Sequence, residues 1–529
     1  MSSSPVPRAI ARAAWIASGA AIVLSVVTLA RVPIPWLDEN YIASAAYAIA
    51  LGRPGIPSIL PPGPSYTPLS DAYGPVFFRV TALSIHLLGL SAFAVRLICA
   101  AGAVAAAAAA AWLMRRAGAA RGWPALAFAL VTLSPEIGTT SANGRMDTFA
   151  IALEVTAFVA IIVALERPER SCAVFASLAA GVCLLLAALT TPRTFPLVAA
   201  TFAVLVALPL RRRFRAATAT ALLCSGAVVM AGCLLWVHHL GLTPIGWVLW
   251  HLRSTQVDPQ TRLLAGVRRD WNLDVRNSIT PAVTVAALLV IAGLHIWNRR
   301  RTNRWRLLVP IPLLALWAAC VLNAAFHFEF TNHVFLSSSY FVVPLFVTTI
   351  AASVVAGERA VASRTVLALW LAVAVLFAAG RAAKYVAVWQ TWDYRDPAPL
   401  TRFIERWVPR GSLVFGYDQY YFYAVENAGS TFRAWTPKPA TLAPLMFPDA
   451  FDASHRPTAA ATRRFLLWPT RGPLGAVPKS FACALPQVVA TFSISTVNRV
   501  GVERIGGFDA GLHGYPDTVL YEVPDDCRP

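Results

Sequence analysis

The sequence predicts a polytopic α-helical membrane protein: about eleven transmembrane helices, interfacial helices in the first external loop, and a small C-terminal extracytoplasmic α/β domain. Three observations carry this. Hydrophobic residues make up 57% of the 529-residue chain and charged ones 13%, half the roughly 25% charge of an average soluble domain. Apolar runs of roughly 17–25 residues recur along most of the chain, the length that spans a bilayer core. The arginines stand in short clusters between those runs, as the positive-inside rule requires. The formal net charge of +19 is therefore a topology signal, and nucleic acid is not expected as a partner.

The runs fall at 11–30, 93–113, 123–140, 147–165, 171–189, 194–210, 217–237, 280–297, 307–324, 333–356 and 365–382. The first is long enough to span and lacks a cleavage site, so it reads as a span and not as a signal peptide. The run 76–90 is short and carries Arg79 and His86. If it does not cross, the clusters Arg8/Arg12, Arg115/Arg116/Arg121, Arg167/Arg170, Arg211 to Arg215, Arg299 to Arg306 and Arg359/Arg364 all fall on one side. That side is the cytoplasm, and 76–90 is then interfacial or re-entrant. The N-terminus is predicted cytoplasmic in the cell (inner) membrane. The segments 31–92, 134–146, 190–194, 238–279 and 325–332, with everything after about 383, are predicted external.

Composition shifts near Tyr394. The runs 413–416, 464–468, 488–492 and 519–523 read as strands set off by Pro and Gly, and 397–408 as an amphipathic helix. The predicted division is 1–390, a transmembrane domain whose first external loop is 31–92, and 391–529, an extracytoplasmic α/β domain within the ordinary size range. Cys99, Cys172, Cys183, Cys224, Cys233 and Cys320 lie in apolar runs; Cys483 and Cys527 lie in the tail and would be free to pair outside the cell.

With only 26 acidic residues in the chain, carboxylates at the membrane edge are informative, because they are costly there unless paired or used. Pro35-Trp36-Leu37-Asp38-Glu39-Asn40 follows the first span and precedes a helical run, 41–51. Asp38 and Glu39 are candidates for chemistry; the alternative is capping of that helix. Asn143-Gly144-Arg145-Met146-Asp147 is a second external cluster. There Asp147 is either functional or a cap, and Arg145 stands outside against the charge bias. Thr190-Thr191-Pro192-Arg193-Thr194 is a tight external turn in which Arg193 suits a phosphate, through planar, charge-assisted bonds, or ordinary anionic lipid. His238, His239, His251, Arg253 and the turn Phe326-His327-Phe328-Glu329 form weaker groups, without the spacing of a metal motif. No metal and no cofactor are predicted. Gly-rich phosphate loops, metalloprotease helices and nucleophile elbows are absent from the sequence, which argues against nucleotide chemistry.

Asp38-Glu39 after the first span resembles the Asp-Glu motif of the GT-C glycosyltransferases, in the branch of protein O-mannosyltransferases, aminoarabinose transferases and RgtA-like enzymes. Tyr73-Gly74-Pro75, Leu88 to Leu97, Leu133-Ser134-Pro135 and Arg145-Met146-Asp147 continue the resemblance. Ser339-Tyr340-Phe341-Val342-Val343-Pro344 is similar to a later segment, with Ser339 where Arg is common. The resemblance implies a GT-C-like fold and inverting transfer from a polyprenyl-phosphate-linked sugar to the hydroxyl of a glycan, lipid or protein acceptor, on the external face. On that basis Asp38 is the expected general base and Arg193, with Arg145, the expected donor-phosphate ligand. Glu39 and Asp147 are expected to orient the acceptor or hold Asp38. The competing expectations are a lipid-linked glycan transporter or ligase, which would place charges inside the spans, and a non-catalytic envelope scaffold.

Overall fold

In the computed structural model, the described residues are 6–33, 35, 37–55, 74–116, 121–166, 170–191, 216–241, 360–416, 420–424, 431–434, 463–469, 487–493 and 517–524, with 194, 198, 201, 243, 477 and 515. The predicted spans 280–297, 307–324 and 333–356 lie outside them, as do Cys483 and Cys527.

Among the described residues, five helices are long and apolar enough to cross a membrane: Arg8–Thr28, Ala92–Arg115, Asp147–Ala164, Ser171–Ala188 and Leu367–Gln390. Their outward faces carry large apolar side chains. Ile16 and Val27 on the first are 72% and 65% exposed, and Val375 and Trp389 on the last are 66% and 77% exposed. Such faces are unfavourable in water and at home in lipid. The chain is an integral membrane protein.

The helices meet through small residues. Ala103, Ala106, Ala107 and Ala110 form the buried stripe of the Ala92–Arg116 helix, at the spacing of one helical face, and share a core with Phe128, Val131, Ile151 and Val155. Gly102 precedes that stripe by one residue. A Cβ there would lie 2.9 Å from the Thr148 carbonyl and 3.0 Å from the Phe149 Cα, so the backbones approach as small residues allow. Ser225 Oγ donates 2.6 Å to the Ser177 carbonyl of the neighbouring helix, beside Gly181.

The run 123–140 was expected as one span. It forms two helices instead, Trp123–Leu133 and Pro135–Thr140. Ser134 between them is extended (φ −59°, ψ 138°), because the residue before a proline is pushed out of the helical region. The Pro75–Leu88 helix has 14 residues, about 21 Å at 1.5 Å per residue, short of the roughly 30 Å hydrocarbon core. It buries Phe77, Phe78, Ala82 and Ile85 and exposes Leu83, Leu87 and Leu88.

The chain divides into two compact units, one comprising Met1–Ser25, Cys99–Ser141 and Met146–Ala382, the other Val26–Ile98, Ala142–Arg145 and Ala383–Pro529. The second unit contains a five-stranded sheet: β1 (Leu413–Gly416), β2 (Thr431–Ala434), β3 (Arg464–Pro469), β4 (Val488–Phe492) and β5 (Thr518–Glu522), in the order β2-β1-β3-β5-β4. β1 runs parallel to β2 and β3, and β5 antiparallel to β3 and β4, with Leu467 opposite Leu520. Phe465 to Trp468 are all buried, as expected of a central strand covered on both faces. β2 was missed by sequence reasoning: Thr-Phe-Arg-Ala is short and polar on alternate positions, and only its pairing with β1 makes it a strand. The Ala398–Trp407 helix buries Leu400 and Ile404, one turn apart, in the core of this unit.

That core is continuous across parts of the chain far apart in sequence. Ala43 and Ala46 of the Leu37–Ala50 helix, Ala82 and Ile85, and Ala92, Ala94 and Val95 pack in one cluster with Leu400, Val414, Tyr420 to Ala424, Phe465 and Tyr515. The first loop and the tail are thus folded together.

Candidate functional site

The Leu37–Ala50 helix opens with two carboxylates in its first turn, where negative charge meets the positive end of the helix dipole. Asp38 is its second residue; the Asp38 side chain lies outside the described residues. Glu39 is fully buried and faces Arg96, also fully buried. Arg96 Nε donates 2.5 Å to Glu39 Oε1, its Nη2 donates 2.6 Å to Oε2, and its Nη1 donates 2.7 Å to the Leu29 carbonyl. Removing two charges from water costs several kcal/mol per ion, and only close, two-pronged geometry of this kind repays it.

The second acidic cluster closes on the first. Gly144 adopts φ +68°, and a Cβ placed on it would lie 2.6 Å from Glu39 Oε1 and 2.7 Å from Glu39 Cγ. Only glycine meets both conditions, the left-handed backbone and the contact. Asn143 Oδ1 accepts the Arg145 backbone N–H at 3.2 Å, fixing the loop locally. Arg145 and Asp147 are both buried, and Asp147 opens the Asp147–Glu166 helix with its charge at the dipole's favourable end. Arg193 lies outside the described residues. The hydroxyls near it turn back on their own chain: Thr190 Oγ1 bonds the Leu186 carbonyl (2.7 Å) and Thr194 Oγ1 the Thr191 carbonyl (2.9 Å).

The tail brings two phenols to the same surroundings. Tyr423 follows β1 in the segment 420–424, Tyr515 precedes β5, and their hydroxyls are hydrogen-bonded to each other. The rings meet edge to face, with centroids 5.5 Å apart. Burial pushes both phenols above their usual range, and the charges of Glu39 and Arg96 act on each of them in opposite directions. Arg395 lies near Tyr515. Its Nε donates 2.8 Å to Thr391 Oγ1, and burial lowers its guanidinium to about 10 against the opposing influence of Tyr515. Arg31, just past the first span, pairs with Asp396 at 3.3 Å and covers the Trp392 ring at 4.3 Å.

Of the sequence candidates, the structure brings Glu39 together with the Asn143-Gly144-Arg145 loop. Sequence reasoning missed Arg96, Tyr423 and Tyr515 as members of the site. For Arg96 a signal existed, a lone cation in the first turn of an apolar span. For the tyrosines there was none, because the tail's packing on the first loop is long-range. Among the described residues no group of three or more His, Cys, Asp or Glu is arranged to hold a metal ion. His238 and His239 end the Ala216–His239 helix; His251, Arg253 and the 326–329 turn lie outside the described residues.

No protein-family profile matches the chain, and no curated protein matches it in sequence. Solved structures do match. ArnT from Cupriavidus metallidurans bound to undecaprenyl phosphate aligns over 97% of this chain and 98% of its own, with TM-score 0.53 and 12% identity. The apo form of that ArnT aligns over 96% and 97%, with TM-score 0.45 and 11% identity. The Archaeoglobus fulgidus oligosaccharyltransferase in its apo form aligns over 80% of this chain and 64% of its own, with TM-score 0.45 and 14% identity. The first of these carries the assignment, along nearly the whole of both chains. The chain shares the fold of that ArnT.

Proposed function

We propose that the chain is a glycosyltransferase that moves a sugar from a polyprenyl-phosphate donor to an acceptor hydroxyl at the external membrane face, with inversion, and with Asp38 as general base. The observation that carries this reading is the use made of Glu39. Its carboxylate is held by two hydrogen bonds from Arg96 and covered by the Gly144 backbone, and these anchor the first turn of the helix in which Asp38 stands. Two adjacent carboxylates then divide the work: Glu39 fixes the helix end, and Asp38 does the chemistry.

In the proposed step the acceptor oxygen attacks the anomeric carbon as Asp38 takes its proton. The new C–O bond forms on the face opposite the departing phosphate. The bonding pair of the old C–O bond leaves with the polyprenyl phosphate, whose charge needs guanidinium support. Arg145, buried in the second acidic loop, and Arg193 are the proposed phosphate ligands, and Asp147 is proposed to orient the acceptor. The fold shared with ArnT, solved with undecaprenyl phosphate, supports a donor of that lipid class. The external position of residues 31–92 and of the tail is part of the same proposal, as are the eleven crossings.

The test is binding and transfer in full-length protein reconstituted in lipid. Undecaprenyl phosphate is expected to raise the unfolding temperature of the wild type, and the Arg145→Ala and Arg193→Ala variants are expected to lose that shift together with transfer of radiolabelled sugar. A shift that survives in both variants would remove these arginines from the phosphate site.

A further inference from the structure

The tail contributes two buried tyrosines where two phenylalanines would fill the same space. Each hydroxyl is hydrogen-bonded to the other and each lies within the field of the buried Glu39–Arg96 pair. The segments that carry them are themselves fixed. Tyr515 donates its backbone N–H to the Tyr394 carbonyl at 2.9 Å, and Tyr420 shares a 2.7 Å hydrogen bond with Thr518 Oγ1. Both rings belong to the core that includes Ala43 and Ala46 of the Asp38-bearing helix and Val95 next to Arg96. A buried ion pair has little water to stabilise it, so neighbouring fixed dipoles set both its energy and its geometry.

We propose that the Tyr423–Tyr515 pair is a positioning device, through which the C-terminal domain holds the Glu39–Arg96 pair and so the helix end that carries Asp38. The domain is then a wall of the catalytic centre and not an appendage to it. This rests on the glycosyltransferase reading for its consequence in turnover, but the coupling between the phenols and the ion pair is independent of it.

The decisive variant is the double substitution Tyr423→Phe/Tyr515→Phe. Removing both hydroxyls together leaves neither unsatisfied, so stability at neutral pH is expected to be nearly unchanged, whereas Tyr423→Phe alone orphans its partner. Full-length protein in native membranes would be assayed with radiolabelled undecaprenyl-phosphate mannose and undecaprenyl-phosphate aminoarabinose. The double variant is expected to keep the donor KM within about twofold and lose at least about tenfold in kcat, the pattern of a group that acts on the transition state. Wild-type kcat in the double variant would overturn the proposal. If the wild type turns over neither donor, the failure lies with the transfer reading, and a double-mutant cycle on unfolding decides the positioning role. Phenylalanine at both tyrosines combined with Glu39→Gln is expected to shift the unfolding temperature non-additively, and strict additivity would overturn it.

Discussion

Arg96→Ala is the most exacting perturbation of the site. The guanidinium is fully buried and makes two bonds to Glu39 and one to the Leu29 carbonyl. Its removal breaks a buried ion pair, which typically destabilises by about 3–5 kcal/mol. Arg96→Lys keeps the charge but not the fork, and the loss of one charge-assisted bond is expected to cost about 1.5–3 kcal/mol. The paired replacement Glu39→Leu/Arg96→Met removes both charges, and exchange of a buried ion pair for apolar groups is often neutral or stabilising by about 1–4 kcal/mol. The assay is reversible unfolding of the full-length protein in mixed micelles. The expected order of stability is the double replacement near or above wild type, then Lys, then Ala. A loss of less than about 1 kcal/mol for Arg96→Ala would refute the reasoning, because three buried hydrogen bonds, two of them to a carboxylate, are lost with the guanidinium.

Gly144→Ala should fail for two reasons at once, the φ of +68° and a Cβ 2.6 Å from Glu39 Oε1; the left-handed backbone alone costs about 1–2 kcal/mol in a non-glycine residue, measurable by the same unfolding assay. Gly102→Val would push a side chain into the Thr148 carbonyl and is expected to destabilise by about 1–3 kcal/mol as an overpacked contact, against little effect from Gly19→Ala, where nothing lies within 4 Å. The raised phenols give an alkaline signature. Because Tyr423 and Tyr515 hold their protons in the folded state beyond the pH at which they lose them when unfolded, their contribution is complete below about pH 10 and falls above it, by about 1.4 kcal/mol per pH unit for each phenol. Unfolding midpoints measured from pH 8 to 12 should therefore drop more steeply for wild type than for Tyr423→Phe/Tyr515→Phe, and parallel curves would contradict the burial of those hydroxyls.

The span edges were legible because hydropathy is local: 11–30, 93–113, 147–165 and 171–189 each correspond to a long apolar helix within a few residues, whereas the helix expected at 365–382 runs on to Gln390. The strands at 413–416, 464–468, 488–492 and 519–523 were legible for the same reason. The break at Ser134 was written in Pro135 but hidden inside an otherwise apolar run. The pairing of Glu39 with Arg96 was not legible. The two lie 57 positions apart, and a carboxylate at a helix start is explained well enough by the dipole that nothing locally demands a cation. Gly144 gave no sign that its missing side chain makes room for Glu39, because a glycine in a loop usually reports only a turn. Tyr423 and Tyr515 lay in a stretch read simply as a small α/β domain, and their meeting depends on how that domain folds onto residues 26–98.

Asp38 is the centre of the proposed mechanism. Native membranes bearing wild type or Asp38→Asn would be supplied with radiolabelled polyprenyl-phosphate sugar, and transfer would be followed alongside the unfolding temperature of each protein. The substitution keeps the side chain's size and removes only its ability to accept the proton, so transfer is predicted to fall about 10²–10⁴-fold while the fold survives. Transfer by Asp38→Asn at the wild-type rate, with both proteins equally folded, would contradict the claim that this aspartate is the base.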